Sequence, residues 1–153
     1  MKTFRVTASL TLITVLLLTC LSFAQNQNIN ALVNKFYKAT DVQREQILQE
    51  NLGNDYLGSG IITNVAEYDF FDTGTDFKAR YYQVSTQLQK TGNIPFQLIF
   101  LYKDRDKVKD INKGDKFQAQ GKILRILDER LQITIWILCG ELTEKEKILF
   151  SKE

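Results

Sequence analysis

Residues 113–139 read KGDKFQAQGKILRILDERLQITIWILC, and two extended strands around one tight turn account for them. Lys113-Gly114-Asp115 has turn chemistry. A strand is expected from Lys116 to about Leu127, with Gly121 in its interior, and Asp128-Glu129-Arg130 makes the turn. From Leu131 to Cys139 the alternation is clean. Leu131, Ile133, Ile135, Ile137 and Cys139 face one way, and Gln132, Thr134, Trp136 and Leu138 face the other. Successive strand side chains point to opposite faces, so this period marks a sheet with one face in a core.

Working backwards, Lys103 to Lys113 is a charged connection. Before it, Phe96 to Tyr102 carries Phe96, Leu98, Phe100 and Tyr102 on one face and Ile99 and Leu101 on the other. That predicts a strand buried on both sides. Lys90-Thr91-Gly92-Asn93 reads as a turn, with Pro95 where the strand starts. A further strand is expected over Phe77 to Gln87, and another from Tyr56 to about Asp69, joined by the turn Asp72 to Asp76. Gly58 and Gly60 predict a bulge or sharp coil early in the first strand.

Ahead of the strands the period changes. Ile29, Leu32, Val33, Phe36 and Tyr37 recur at helical spacing. Thr40 with Gln43 three residues later forms a capping box for a second helix, with Val42, Ile47, Leu48 and Leu52 as its stripe and Gly53 as its stop. Both stripes are expected to pack on the chain's own core. Residues 25–53 therefore form a linker with helices, 54–140 a β domain, and 141–153 a frayed or short helical tail. Five strands, with the longest interruption between the third and fourth, predict a mainly β chain: a five-stranded Greek-key barrel, the OB-fold, preceded by one or two helices.

Lys113 to Ile123 resembles the start of the fourth strand in many OB proteins, where a Gly-Asp turn opens the strand and an inner glycine lets it bend. Gly58-Ser59-Gly60-Ile61-Ile62-Thr63-Asn64-Val65 looks like the matching first-strand signature. With the lead helix Thr40 to Leu52, the chain resembles exported bacterial OB-fold proteins of the tRNA-anticodon-binding-domain-like (tRNA_anti-like) family. The resemblance covers about Thr40 to Leu138. It implies a binding fold of nucleic-acid ancestry, and no activity follows from the fold alone.

Residues 1–24 read as a signal peptide. Lys2 and Arg5 precede an apolar run from Ala8 to Leu21, and Ser22-Phe23-Ala24 offers small residues at a cleavage site. Export to the periplasm or medium is expected, with no membrane span after cleavage; a lipid anchor through Cys20 in Leu17-Leu18-Thr19-Cys20 is the alternative. Lys2 and Arg5 are two of the chain's 20 basic residues, which leaves 18 against 18 acidic ones beyond the signal. The mature chain is neutral, and no global attraction to nucleic acid or anionic membranes remains. Cys139 is then the only cysteine, and its place in the isoleucine register puts it in the core.

The chain has no histidine. Serine–histidine and cysteine–histidine hydrolases and histidine-ligated zinc sites are excluded. Glu67, Asp69, Asp72 and Asp76 crowd the first strand-connecting loop, where solvated charges are a better account than calcium ligands or a glycosidase pair. No metal or cofactor is expected. Charge is uneven, with 11 basic and 4 acidic residues between Lys78 and Arg125. Part of this is a wet loop in which Lys103, Arg105, Lys107 and Lys109 balance Asp104, Asp106 and Asp110. The remainder includes Lys78 and Arg80, which share a strand face with Tyr82; Tyr81 points the other way. Lys78, Arg80 and Tyr82 suit an anion or a stacked ring. Trp136 is the fourth candidate, pointing outward and covered by the Phe36 and Tyr37 helix. The expected function is a non-enzymatic exported binding module for an envelope or extracellular partner, whether protein, oligosaccharide or small anion. Single-stranded nucleic acid is the alternative ligand, and an extracytoplasmic hydrolase the remote one.

Overall fold

The computed structural model describes residues 27–72, 77–129 and 132–150. The predicted signal peptide, Asp76, Arg130, Leu131 and the last three residues lie outside them. Strands β1 (Gln27–Asn28), β2 (Asp55–Asp72), β3 (Phe77–Thr86), β4 (Gln89–Thr91), β5 (Ile94–Tyr102), β6 (Lys116–Glu129) and β7 (Gln132–Leu138) form one sheet. Among the described residues three α-helices accompany it: α1 (Ile29–Lys38), α2 (Asp41–Asn51) and α3 (Glu144–Phe150). The chain is thus mainly β with two helices on its N-terminal side.

Five strands close into a ring. β2 pairs β3, β3 pairs β5, β5 pairs β7, β7 pairs β6, and β6 returns to β2. All are antiparallel except β5 with β7. Closure is possible because β2 is long enough to use both edges. Asp55 to Ile61 pair with β6, and Ile62 to Asp72 with β3.

The predicted strand phases hold. Ile133, Ile135 and Ile137 lie inside with Phe96, Leu98 and Phe100. Ile99, Leu101 and Leu138 lie in a second cluster on the outside of the ring. β5 is therefore buried on both faces, as its two apolar rows require. Inside the ring, Ile135 and Ile137 are fully buried. Each such side chain contributes roughly 1.5–3 kcal/mol by leaving water.

α1 packs against β2, β4 and β5 and gives Ile29, Leu32, Val33 and Phe36 to the inner cluster, at the spacing that puts one stripe on one helix face. Val108 and Ile111, from the connection between β5 and β6, join the same cluster. α2 starts as the capping motif predicts, with the Thr40 N–H donating to Gln43 Oε1 at 2.9 Å.

Four sequence expectations are corrected. β2 has no bulge at Gly58 or Gly60, where pairing to Ala119 and Phe117 is continuous; its register shift falls between Ile62 and Asn64, where it changes partner. Gly58 is small for a packing reason: a Cβ there would lie 2.9 Å from Leu98 Cδ1 and Phe100 Cζ. Val42 is 81% exposed and belongs to no core stripe, because α2 touches the domain through Ile47 and Arg44 instead. The stretch before β5 contains a short strand, β4, paired back on β5 around Gly92-Asn93, so the turn is tighter than expected. Glu67 and Asp69 lie within β2, not in a loop, because the β2–β3 hairpin stays paired out to Asp72 and Phe77.

Candidate functional site

The hairpin of β2 and β3 extends past the ring, since β5 pairs with β3 only from Tyr82 to Ser85. One face of the hairpin carries Glu67, Asp69, Arg80 and Tyr82; cross-strand pairs Glu67 with Tyr82 and Asp69 with Arg80 fix this. Arg80 Nε donates to Asp69 Oδ1 at 2.8 Å, and Glu67 lies 3.8 Å from its guanidinium. These carboxylates hold the Arg80 pKa above its ordinary value, the Asp69 hydrogen bond contributing most. Arg80 is thus met by two acids, an exposed pairing that partly offsets its charge. Tyr82 is half-buried against the inner cluster, where the partly buried Tyr102 and Phe117 also pack. Lys78 lies opposite Phe71 in the same register, and its side chain is outside the described residues.

Trp136 is on the other surface. It packs with Tyr68 at 5.1 Å between ring centroids, in the outer cluster with Tyr81, Leu101 and Phe150. The predicted cover is therefore corrected. Phe36 is in the inner cluster and Tyr37 is exposed, so the N-terminal helix does not reach Trp136. The cover is α3, whose Phe150 closes a small void lined by Tyr68, Leu101, Arg125 and Trp136. The structure does not bring Trp136 together with Lys78, Arg80 and Tyr82: strand alternation separates them by the thickness of the sheet.

In the described residues the tail forms a short helix, one of its two expected forms. Glu146 of α3 is 2% exposed and accepts from Tyr81 Oη at 2.6 Å, from Lys103 Nζ at 2.8 Å, and from both the N–H and hydroxyl of Thr143 at 2.7 Å. Burial alone would raise its pKa. These donors outweigh burial and hold the carboxyl below its usual range. Lys103 also donates to the Glu141 carbonyl, so this lysine leaves the wet-loop charge balance and ties β5 to the tail. Lys109 and Asp106 pair within the loop as expected. The signal for the tail was present in the sequence: Thr143-Glu144-Lys145-Glu146 is a capping box, here with its acid recruited by Tyr81 and Lys103.

The outer face is divided. Around Trp136, Tyr81 and Leu138 it lies under α3. Its other half carries a band of polar side chains: Gln83 and Ser85 on β3, Gln97 on β5, Gln132 and Thr134 on β7, and Glu129 on β6. Gln83 Nε2 donates to Ser85 Oγ at 2.7 Å and Gln97 Nε2 to the Thr86 carbonyl at 2.7 Å. Thr134 Oγ1 donates to Glu129 Oε2 at 2.8 Å. One Gln132 amide nitrogen sits 3.3–3.4 Å from Gln97, Thr134 and Glu129 oxygens, so three acceptors share one donor group. The sequence placed Gln132 and Thr134 outward. It held no signal that rows from four strands would meet, because pairing across β5 and β7 joins residues about 35 positions apart.

Cys139 is half-buried and packs against the inner cluster, as its register predicts. Burial pushes its thiol up to about 11, partly offset by a hydrogen bond that the sulfur accepts from the Tyr102 hydroxyl. Among the described residues no helix is long and apolar enough to cross a membrane. No protein-family model and no curated protein matches this chain.

Proposed function

We propose that this chain is an exported, non-enzymatic binding module on an OB-fold barrel of the tRNA_anti-like kind. The cyclic order β2-β3-β5-β7-β6, with β5 and β7 the one parallel pair, supports the barrel reading. In that scheme β3 and β5 are the second and third barrel strands, whose outer surface carries ligands in OB proteins. The observation that carries the function is the polar band on that surface, where the part-exposed Gln83, Gln97 and Gln132 lie beside the buried Ser85 and Thr134. Amides and hydroxyls supply donors and acceptors in both senses, which suits a neutral polar partner such as a protein backbone or an oligosaccharide.

Nucleic acid is the weaker reading. Glu129 stands within the band, and Arg80 is already paired with Asp69. Phosphate contact would show as a steep loss of affinity with salt.

Capture from envelope extract tests the proposal. The parent chain should retain a partner that the double variant Gln97→Ala, Gln132→Ala loses, with circular dichroism unchanged. Equal capture by a folded double variant rules the band out as the binding face. Mass analysis of the exported protein tests localisation: a terminus at Gln25 is expected, while a lipid-modified Cys20 or an intact Met1 would overturn simple secretion.

A further inference from the structure

The covered half of the outer face is occupied by the chain's own C-terminal segment. Among the described side chains, the segment is anchored by the acid of α3, by Phe150 at its end and by Leu142 just before it. Glu146 meets Tyr81 and Lys103, while Leu142 and Phe150 enter the outer cluster beside Leu101 and Leu138. Glu144, Lys145 and Lys147 stay exposed. Tyr81 is presented by β3 and Lys103 by the position just after β5, so the receiving groove is built from the sheet and its edge and not from the tail. We propose that this groove is a docking site for an acidic helical segment of a partner protein, which displaces α3 and takes its place.

Three observations support exchange over permanent cover. α3 has seven described residues, below the length at which a helix persists alone in water. Its helicity therefore depends on docking, and its undocked form is an unstructured tail. The link from β7 runs through Gly140, where an added Cβ would meet no atom within 4 Å, so packing leaves this point of the link uncrowded. Last, the Trp136 indole N–H is buried with no acceptor. A buried donor left unmet costs free energy. A partner segment that places an oxygen there would outbind α3 on the same groove. The partner chemistry follows from the occupant: a carboxylate for Lys103 and Tyr81, with large apolar side chains before and after it.

The site is independent of the polar band, so its test stands apart from the Gln97 and Gln132 variants. A synthetic peptide spanning Glu141 to Phe150 is titrated into the full chain carrying Glu146→Gln. Trp136, the sole tryptophan, reports by fluorescence. Saturable binding is expected, about ten-fold weaker for a peptide that itself carries Glu146→Gln, as befits a lost charge-assisted contact. Binding to the parent chain, whose own α3 competes, should also be about ten-fold weaker. Equal binding of both peptides, or no fluorescence change up to about 1 mM peptide, overturns the proposal. So does light scattering that finds the parent chain dimeric through exchanged α3, which would assign the groove to a second copy. If Glu146→Gln does not fold, hydrogen exchange on the parent chain decides. α3 amides should exchange at least about a hundred-fold faster than those of β5 and β7 through local opening, and equal protection overturns the proposal.

Discussion

The Tyr81 hydroxyl donates to the Glu146 carboxylate at 2.6 Å, across 65 positions of sequence. Tyr81 is fully buried and Glu146 nearly so, and this bond is where the C-terminal helix joins the sheet. The pair links three features: the outward half of β3, the end of β5 through Lys103, and the capping box of α3. It also explains why Tyr81 and its neighbour Tyr82 have unrelated surroundings, one under α3 and the other against the interior of the ring.

The Glu146 network makes stability depend on pH. Its folded pKa is depressed, so its contribution is present above the unfolded carboxylate range, about 4.3, and is lost as pH falls through the folded value. Urea midpoints measured between neutral and strongly acidic pH should fall faster for the parent than for Glu146→Gln. Parallel pH profiles would remove Glu146 from the acid sensitivity.

Tyr81→Phe should cost about 1–3 kcal/mol, since it leaves a buried carboxylate one donor short. Equilibrium urea unfolding measures it. A change within about 0.5 kcal/mol, the surface range, would mean the carboxylate is hydrated in solution.

Ile135 lies inside the ring between β5 and β6, fully buried. Ile135→Ala should cost roughly 2–5 kcal/mol through lost burial and the cavity left behind. A loss below about 0.5 kcal/mol would contradict the strand phase.

Gly121 pairs with Tyr56 where β6 passes close to the end of β7. A Cβ there would press on the Leu138 carbonyl and lie 2.8 Å from Ile137 Cγ2. Gly121→Ala should therefore destabilise by about 1–3 kcal/mol, the usual cost of overpacking. An unchanged urea midpoint would show that the two strands part easily.

Cys139 should be a poor nucleophile. With its thiol pushed up to about 11, the thiolate is scarce at neutral pH. Iodoacetamide labelling of the folded chain near pH 8, followed by mass, should run about two orders of magnitude slower than for an unperturbed thiol. Labelling at the free-thiol rate would place Cys139 outside the core.

The sequence by itself determined the periodic features. Alternation in Leu131 to Cys139 and in Phe96 to Tyr102 assigns each side chain to a face, because a strand has no other choice. The Ile29 to Phe36 spacing and the Thr40–Gln43 box likewise define the lead helices locally. Tertiary structure decided what each face meets. Trp136 was readable as outward, yet only closure of the ring and the path of the tail put Phe150 over it, not Phe36. Arg80 was readable as a cation, yet only the β2–β3 register delivered Asp69 to it. Glu146 looked like one charge in a mixed tail, and its burial depends on Tyr81 and Lys103, brought in from distant strands. Period is a property of neighbours in sequence, whereas charge neutralisation and cover are set by residues far apart in the chain, whose meeting depends on loop paths and strand order.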